Sequence, residues 1–563
     1  MSTRLPVLLF AFAQLALPLS GCGSGTPGAP DLGADLAGDS THVIADSTGE
    51  TGLAEIVTKD LGAPPDVALD LLQGPDDFTA DIADLPDSLT GDLADSTSFP
   101  DGDEGLDAPS DSTLDPDEFE ADVAPPPPPL FDHEMIQDHA TAACHFSDHH
   151  TTLKDGVLVD VWHVTYYSWQ VVDGLLEPIV IQGYAARPTV GDKPLPGIVK
   201  AHGLGGFAEE SHATGTAALL GMFVLAYTGP GGGTEPANTS EGLPASHDNG
   251  YRMFDVLTDL RGTWFWGHAM AAMRGLTCLA NHPEVDASRL GVTGFSAGGV
   301  ISNLVSGVDP RVKAGVPLSG VLAWDVAAQS PDAWQHDLLT EAGLDIESPE
   351  WLKLMELVDP TAIYSDNSAP TMIANGSSDE FFPLTAHMAT YGAISTPRRT
   401  SLAGNFDHGC FLLTGGESPE TIKARAELRA NGAQLLWFHH HFGTDERFSY
   451  VPQTPTFTAT PLGLATAVAA TVDGGGSHLE VEEVKVWWSN DDAFLFGSVT
   501  LPPQGGGIYG ELALFPTQAN TVLYVDVQYK TKEWLAPLRF SLSSEPQMPA
   551  GFVPHIRDVN SCL

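Results

Sequence analysis

A serine hydroxyl is a poor nucleophile until a base takes its proton and fixed dipoles receive the charge that develops on the attacked carbonyl. In this chain of 563 residues that chemistry centres on Ser296, within Gly294-Phe295-Ser296-Ala297-Gly298. The pentapeptide follows the run Leu290-Gly291-Val292-Thr293 and opens a helical pattern, so the serine falls on a strand-to-helix turn. Flanking glycines suit such a turn, because a Cβ there would strike the neighbouring strand or helix. With 58 glycines in the chain the pentapeptide alone is weak, and its weight comes from what stands around it.

His202-Gly203-Leu204-Gly205-Gly206 closes the strand 197–201 and can turn the Leu204 amide toward the serine. The Ala297 amide, at the start of the helix, is the second donor of an oxyanion hole, where the helix dipole also favours negative charge. Asp379, in Asn375-Gly376-Ser377-Ser378-Asp379-Glu380, follows the strand 371–374 and reads as the acid. His408, in Asn405-Phe406-Asp407-His408-Gly409, follows another short strand, precedes the last helix and reads as the base. The order serine, acid, histidine, at separations of roughly 80 and 30 residues, suits a nucleophile-elbow hydrolase. Asp325, Glu380 and Asp407 compete for the acid, and His387 and His439 to His441 for the base, the last three in a helix with no loop to aim them. The set cleaves acyl bonds and calls for no cofactor. His133, His139, His145, His149 and His150 match no recognised ligand spacing, so no metal is assigned and 132–150 reads as a solvated lead-in.

Positioning these residues takes alternating strands and helices around a mainly parallel sheet, an α/β fold. An antiparallel hairpin (157–168 with 178–186) precedes buried strands at 197–201, 222–226, 289–293, 314–317 and 371–374. Helical patterns run over 262–280, 298–306 and 420–441, and a tryptophan-bearing insertion at 330–357 stands where a cap would cover the site. The glycine loop 229–233 borders the pocket but is too irregular for a phosphate cradle. After Gly443 short β-rich runs at 481–488, 493–500, 511–515, 522–529 and 538–542 suggest a separate all-β sandwich-like domain. Its aromatics Trp487, Trp488, Tyr509, Tyr524 and Tyr529 read as packing before they read as a carbohydrate groove.

The formal net charge of -50 excludes nucleic acid as a partner, and roughly half of it lies between Asp31 and Asp122, where Lys59 is the sole basic residue. Such a stretch cannot bury enough apolar surface to offset chain entropy, so 22–130 reads as a disordered acidic tether ending in the proline run 125–129. Ahead of it, Arg4, a mostly apolar run at 5–19 and Leu19-Ser20-Gly21-Cys22 have the form of an export signal. The remaining cysteines, Cys144, Cys278, Cys410 and Cys562, allow three pairings, and Cys278 fits a buried core thiol. The expected domains are a signal peptide at 1–21, the tether at 22–130, the catalytic unit at 131–445 and the β-unit at 446–563.

Residues 19–22 resemble a bacterial lipobox, which implies that Cys22 is lipidated and that a lipid anchor is the chain's contact with a membrane, at the periplasmic or cell surface. The elbow, the His-Gly-Leu-Gly-Gly loop, 282–299 and the Asp379 and His408 loops resemble the acetylxylan esterase and dienelactone hydrolase-like branch of the α/β-hydrolase superfamily over 157–442. Asp359-Pro360, the Asp379-Glu380-Phe381-Phe382 turn and the trailing β-region are more loosely similar to PhoPQ-activated pathogenicity-related proteins. Two departures stand out. Ala297 and Leu204 replace the glutamine and tyrosine usual in acetylxylan esterases, and Ser296 replaces the cysteine of dienelactone hydrolases. The resemblance implies an exported serine esterase acting on small-molecule or carbohydrate esters; a serine peptidase or amidase on the same fold and an inert surface-binding protein are the alternatives.

Overall fold

The computed structural model describes residues 129–556 apart from 192, 247–250, 366–367, 396, 409–417 and 534–535. The export signal, Cys22, nearly all of the tether, Cys410 and Cys562 lie outside the described residues. The catalytic half is built on nine strands: β1 (His145–Lys154), β2 (Val157–Val172), β3 (Leu175–Pro188), β4 (Leu195–Ala201), β5 (Phe223–Tyr227), β6 (Val285–Phe295), β7 (Val312–Leu318), β8 (Thr371–Gly376) and β9 (Arg398–Ala403). They form one sheet in the order β1-β2-β3-β5-β4-β6-β7-β8-β9, antiparallel up to β5 and parallel from β5 onward. All of β5 and β8 is buried, as expected of inner parallel strands covered by helices on both faces. This is the α/β-hydrolase fold.

The expected hairpin and parallel strands are present, most of them longer at their ends than the hydrophobic runs. Among the elements hidden in this half are an edge strand and a helix. The tail of the supposed lead-in segment is β1, whose side chains are mostly exposed while its backbone pairs with β2, so a polar edge strand shows no apolar periodicity. His149 and His150 lie beside Asp160 and Glu210, at 3.4 and 3.2 Å. The helix Glu210–Leu220 is buried almost all round, with Thr214, Gly215 and Thr216 among its buried residues, so it has no apolar stripe against a polar face to reveal it.

Cys144 and Cys278 are disulfide-bonded across 134 residues, which corrects the reading of Cys278 as a core thiol. Closing a loop that long lowers the entropy of the unfolded chain, typically by about 2–4 kcal/mol in free energy. Arg274, one turn before Cys278, donates to the carbonyls of Met135, Ile136 and Asp138 and so binds the segment ahead of β1 to the same helix, Trp264–Ala280.

The C-terminal strands are β10 (Thr456–Pro461), β11 (Thr466–Thr471), β12 (Leu479–Ser489), β13 (Gly497–Thr500), β14 (Pro503–Gly505), β15 (Ile508–Ala513), β16 (Val522–Thr531) and β17 (Arg539–Ser543). They make two four-stranded sheets, β10-β11-β15-β14 and β13-β12-β16-β17. Trp487, Tyr524 and Tyr529 are buried, Trp488 stacks on Phe515, and Tyr509 borders a groove of about 550 Å³. Their main role is packing. One apolar core joins this region to the hydrolase sheet: Ala433, Leu436, Trp437 and Phe438 of the last helix, Pro419–Phe442, lie between β-strand residues of both. No helix among the described residues is long and apolar enough to cross a membrane.

Candidate active site

β6 runs into Ser296, and the helix Ala297–Val308 begins at the next residue. Ser296 has φ 61° and ψ -127°, a conformation that L-residues avoid and that the surroundings must enforce. Enforcement comes from backbone packed against backbone. A Cβ on Gly298 would stand 2.3 Å from the Ala201 carbonyl oxygen, and one on Gly320 would stand 2.1 Å from that of Ser296. The Ser296 amide donates to the Leu318 carbonyl at 3.0 Å, which ties the turn to β7.

His408 Nε2 lies 2.8 Å from Ser296 Oγ, and His408 Nδ1 lies 3.1 and 3.2 Å from the two Asp379 oxygens. With Nδ1–H donating to the carboxylate, the Ser296 hydroxyl donates to Nε2, the tautomer this network requires. The Asp379 carboxylate accepts from the Phe381 and Phe382 amides at 3.0 and 2.9 Å, which sets its angle. Phe381 and Phe295 stack on the His408 ring, with centroids at 4.4 and 5.2 Å. Burial works against a charged imidazole here, but the charge and hydrogen bond of Asp379, joined by the charges of Glu380 and Asp407, outweigh it and raise the His408 pKa.

Ala297 is the first residue of its helix, where amides have no partner within the helix. The loop carrying Leu204 passes directly over the serine, since a Cβ on Gly203 would stand 3.1 Å from Ser296 Cβ. His202 holds that loop: its Nδ1 donates to the Gly203 carbonyl at 2.6 Å and its Nε2 accepts from the Gly229 amide at 2.8 Å. Burial drives the His202 pKa down to about 4, so the ring is neutral and able to do both. The glycine loop at 229–233 thus braces the loop carrying Leu204 from behind.

The competing residues lie elsewhere or act differently. Asp325 is exposed in the first turn of the helix Trp324–Ala327. His387 is buried against Thr400, and His439, His440 and His441 pair with Thr444, the Phe448 carbonyl and the Trp437 ring. Glu380 has a role the sequence did not reveal: its Oε2 accepts the His408 backbone amide at 3.0 Å. Burial, and then the charge of Asp379, push its pKa up to about 7. The insertion at 330–357 brings Trp334 within 6.2 Å, centroid to centroid, of both Phe381 and Phe382, so it builds one wall beside His408.

The family model for Acetyl xylan esterase (AXE1) matches residues 137–332, and that for the Prolyl oligopeptidase family matches 269–403. Sheet, elbow and matches together define an α/β hydrolase. Over 137–332 the chain is similar to the acetyl xylan esterase family. Among solved structures, the acetyl xylan esterase from Paenibacillus sp. R4 aligns at 20% identity and TM-score 0.40, over 52% of this chain and 89% of its own. Acetyl Xylan Esterase 1 from Thermoanaerobacterium sp. JW/SL YS485 aligns at 17% and 0.38, over 50% and 87%. Acylaminoacyl peptidase from Pyrococcus horikoshii aligns at 16% and 0.33, over 48% and 46%.

Proposed function

We propose that this protein is an exported serine esterase in which Ser296 attacks the carbonyl of a carboxylic ester, acylated carbohydrate among its substrates. The observation that carries the reading is the unbroken hydrogen-bonded line from Ser296 Oγ through His408 to Asp379. In the first half-reaction His408 Nε2 takes the serine proton as the Oγ–carbonyl bond forms, and the Leu204 and Ala297 amides receive the oxyanion. The tetrahedral species collapses, His408 returns the proton to the departing alcohol, and an acyl-enzyme is left. Water, deprotonated by the same ring, then releases the acid and restores Ser296. Asp379 holds the tautomer and steadies the imidazolium without taking the proton.

The matched family supports ester rather than amide cleavage, while the prolyl oligopeptidase match gives peptide amides a place in the test. Export and anchoring through Cys22 rest on the leader sequence and agree with a disulfide, which persists in oxidising compartments. The test incubates the protein and Ser296→Ala with p-nitrophenyl acetate and butyrate, acetylated xylo-oligosaccharide, a peptide amide panel and a fluorophosphonate probe. The wild type should label and release p-nitrophenol while Ser296→Ala does neither. Equal labelling and turnover by the two would sink the reading, and faster cleavage of the amides would make the enzyme a peptidase.

A further inference from the structure

The segment that delivers His408, Gly404 to Asp407, is gripped from two sides. On the hydrolase side the Ser377 Oγ accepts the Asn405 amide at 2.9 Å and the Ser378 amide donates to the Phe406 carbonyl at 3.2 Å. On the other side the partners belong to the C-terminal β-region. Asn405 Nδ2 donates to the Phe496 carbonyl at 2.8 Å, and the Phe496 amide donates back to Asn405 Oδ1 at 2.7 Å. This reciprocal pair, between residues 91 apart in sequence, imitates a β-bridge with a side-chain amide standing in for one strand.

Further contacts reinforce the grip. The Trp487 ring lies flat on Gly404, where a Cβ would stand 2.6 Å from Trp487 Cζ3. Arg425 donates to the Gly404 carbonyl at 2.7 Å and stacks over the same indole at 4.7 Å. Just upstream, the Leu402 amide donates to Ser543 Oγ at 2.8 Å, and the Ser401 and Ser541 hydroxyls meet at 3.0 Å. Asn405 has φ 55°, in the left-handed region that asparagine tolerates better than most residues. Asn405 and Phe496 are almost fully buried, at 1% and 4% exposure, so water cannot replace the lost bonds if either retreats.

We infer that the C-terminal β-region is a positioning element of the active site, which sets the His408 ring by holding Asn405 on Phe496 and Gly404 on Trp487. The inference rests on the proposed role of His408 and gives the β-region a task other than capturing carbohydrate. The imidazole has to meet Ser296 Oγ and Asp379 at once, between the charged or titratable groups Asp379, Glu380 and Asp407. A shift of about 1 Å at a reacting group costs on the order of a hundredfold in rate. Holding its loop from both sides prevents that shift.

The test compares the full chain with Asn405→Gly, which accepts the same φ while deleting both hydrogen bonds to Phe496. Val468→Ala, a buried change in β11 remote from the loop, controls for lost stability. Three quantities are read: kcat and KM on p-nitrophenyl acetate, the acid limb of kcat/KM, and the low-field proton resonance of His408 Nδ1–H, which needs no turnover. Asn405→Gly should lose kcat by about 10- to 100-fold with KM within about twofold, as for loss of alignment rather than of binding. Its acid limb should fall toward ordinary imidazole, and the low-field resonance should broaden or move upfield. Val468→Ala should lower Tm alone. If folded Asn405→Gly keeps wild-type kcat, acid limb and resonance, the β-region is only a neighbour and the inference is overturned. Should Asn405→Gly fail to fold, Trp487→Phe takes its place under the same criteria. Failure of the esterase reading looks different, since wild type and Ser296→Ala would then react alike while the resonance still reports on the clamp.

Discussion

Ser296 and His408 face each other across 2.8 Å, yet they are held by opposite means. The serine turn is fixed by main chain against main chain, with glycines at the contacts it makes with the ends of the neighbouring strands at Ala201 and Leu318. The histidine is fixed by side chains drawn from distant segments: the carboxylates of Asp379 and Glu380, the flanking rings of Phe295 and Phe381, and the amide of Asn405 bound to Phe496. A nucleophile under backbone strain needs rigidity, which steric exclusion supplies at no cost in side-chain entropy. A base that changes charge during each turnover needs a tuned field, which only charged and polar groups supply.

The largest effect should come from breaking the field around the histidine. In Asp379→Asn the new amide can donate to His408 Nδ1, which moves the ring proton to Nε2 and leaves no lone pair facing Ser296. We expect kcat to fall by about 10⁴ with KM little changed, measured on p-nitrophenyl acetate. A fall below about tenfold would mean that a different carboxylate, Glu380 or Asp407, orients the ring. On the serine side, breakage should appear as instability. In Gly298→Ala the new methyl meets the Ala201 carbonyl oxygen and carbon at 2.3 and 2.7 Å, neither of which can swing aside. Overpacking of that kind costs about 3 kcal/mol, read as a lower urea midpoint at unchanged slope. A midpoint equal to wild type would show that the elbow is looser than its contacts imply.

The same contrast explains what the sequence made legible. The elbow could be read because glycines forced by close approach sit within a few residues of the serine, and strand and helix periodicity flank them. Asp379 and His408 could be placed because each lies on a loop after a buried strand. Asn405 and Phe496 could not be linked, since nothing local marks a side chain that bonds a backbone 91 residues away. The disulfide was hidden for the same reason, as four cysteines leave the pairing open. β10 and β11 were missed because Ala and Pro dilute their Thr, Phe and Val, and of the inward positions of β11, Thr466, Val468 and Ala470, only Val468 is a large apolar residue. The separate sandwich was expected because the change of texture at Gly443 is real, whereas the shared core depends on the last helix being apolar on two faces.

Glu380 gives the smallest expected effect and the finest probe of the histidine's field. Its folded pKa of about 7 lies above its ordinary 4.5, so between those values the folded chain holds more protons than the unfolded one. Stability contributed by this group therefore declines as pH rises through that window, and the loss is complete above it. Glu380→Gln keeps an oxygen for the His408 amide and removes the titration, so its urea midpoint should gain on wild type between pH 5 and pH 8. The variant also loses a negative charge that helps raise the His408 pKa, so the acid limb of kcat/KM should move to lower pH. Because each group's charge acts on the other's titration, the displacement of that limb measures their interaction. Parallel stability profiles with an unmoved limb would show Glu380 to be a neutral hydrogen-bond acceptor, and would leave Asp379 and Asp407 to set the charge around the ring.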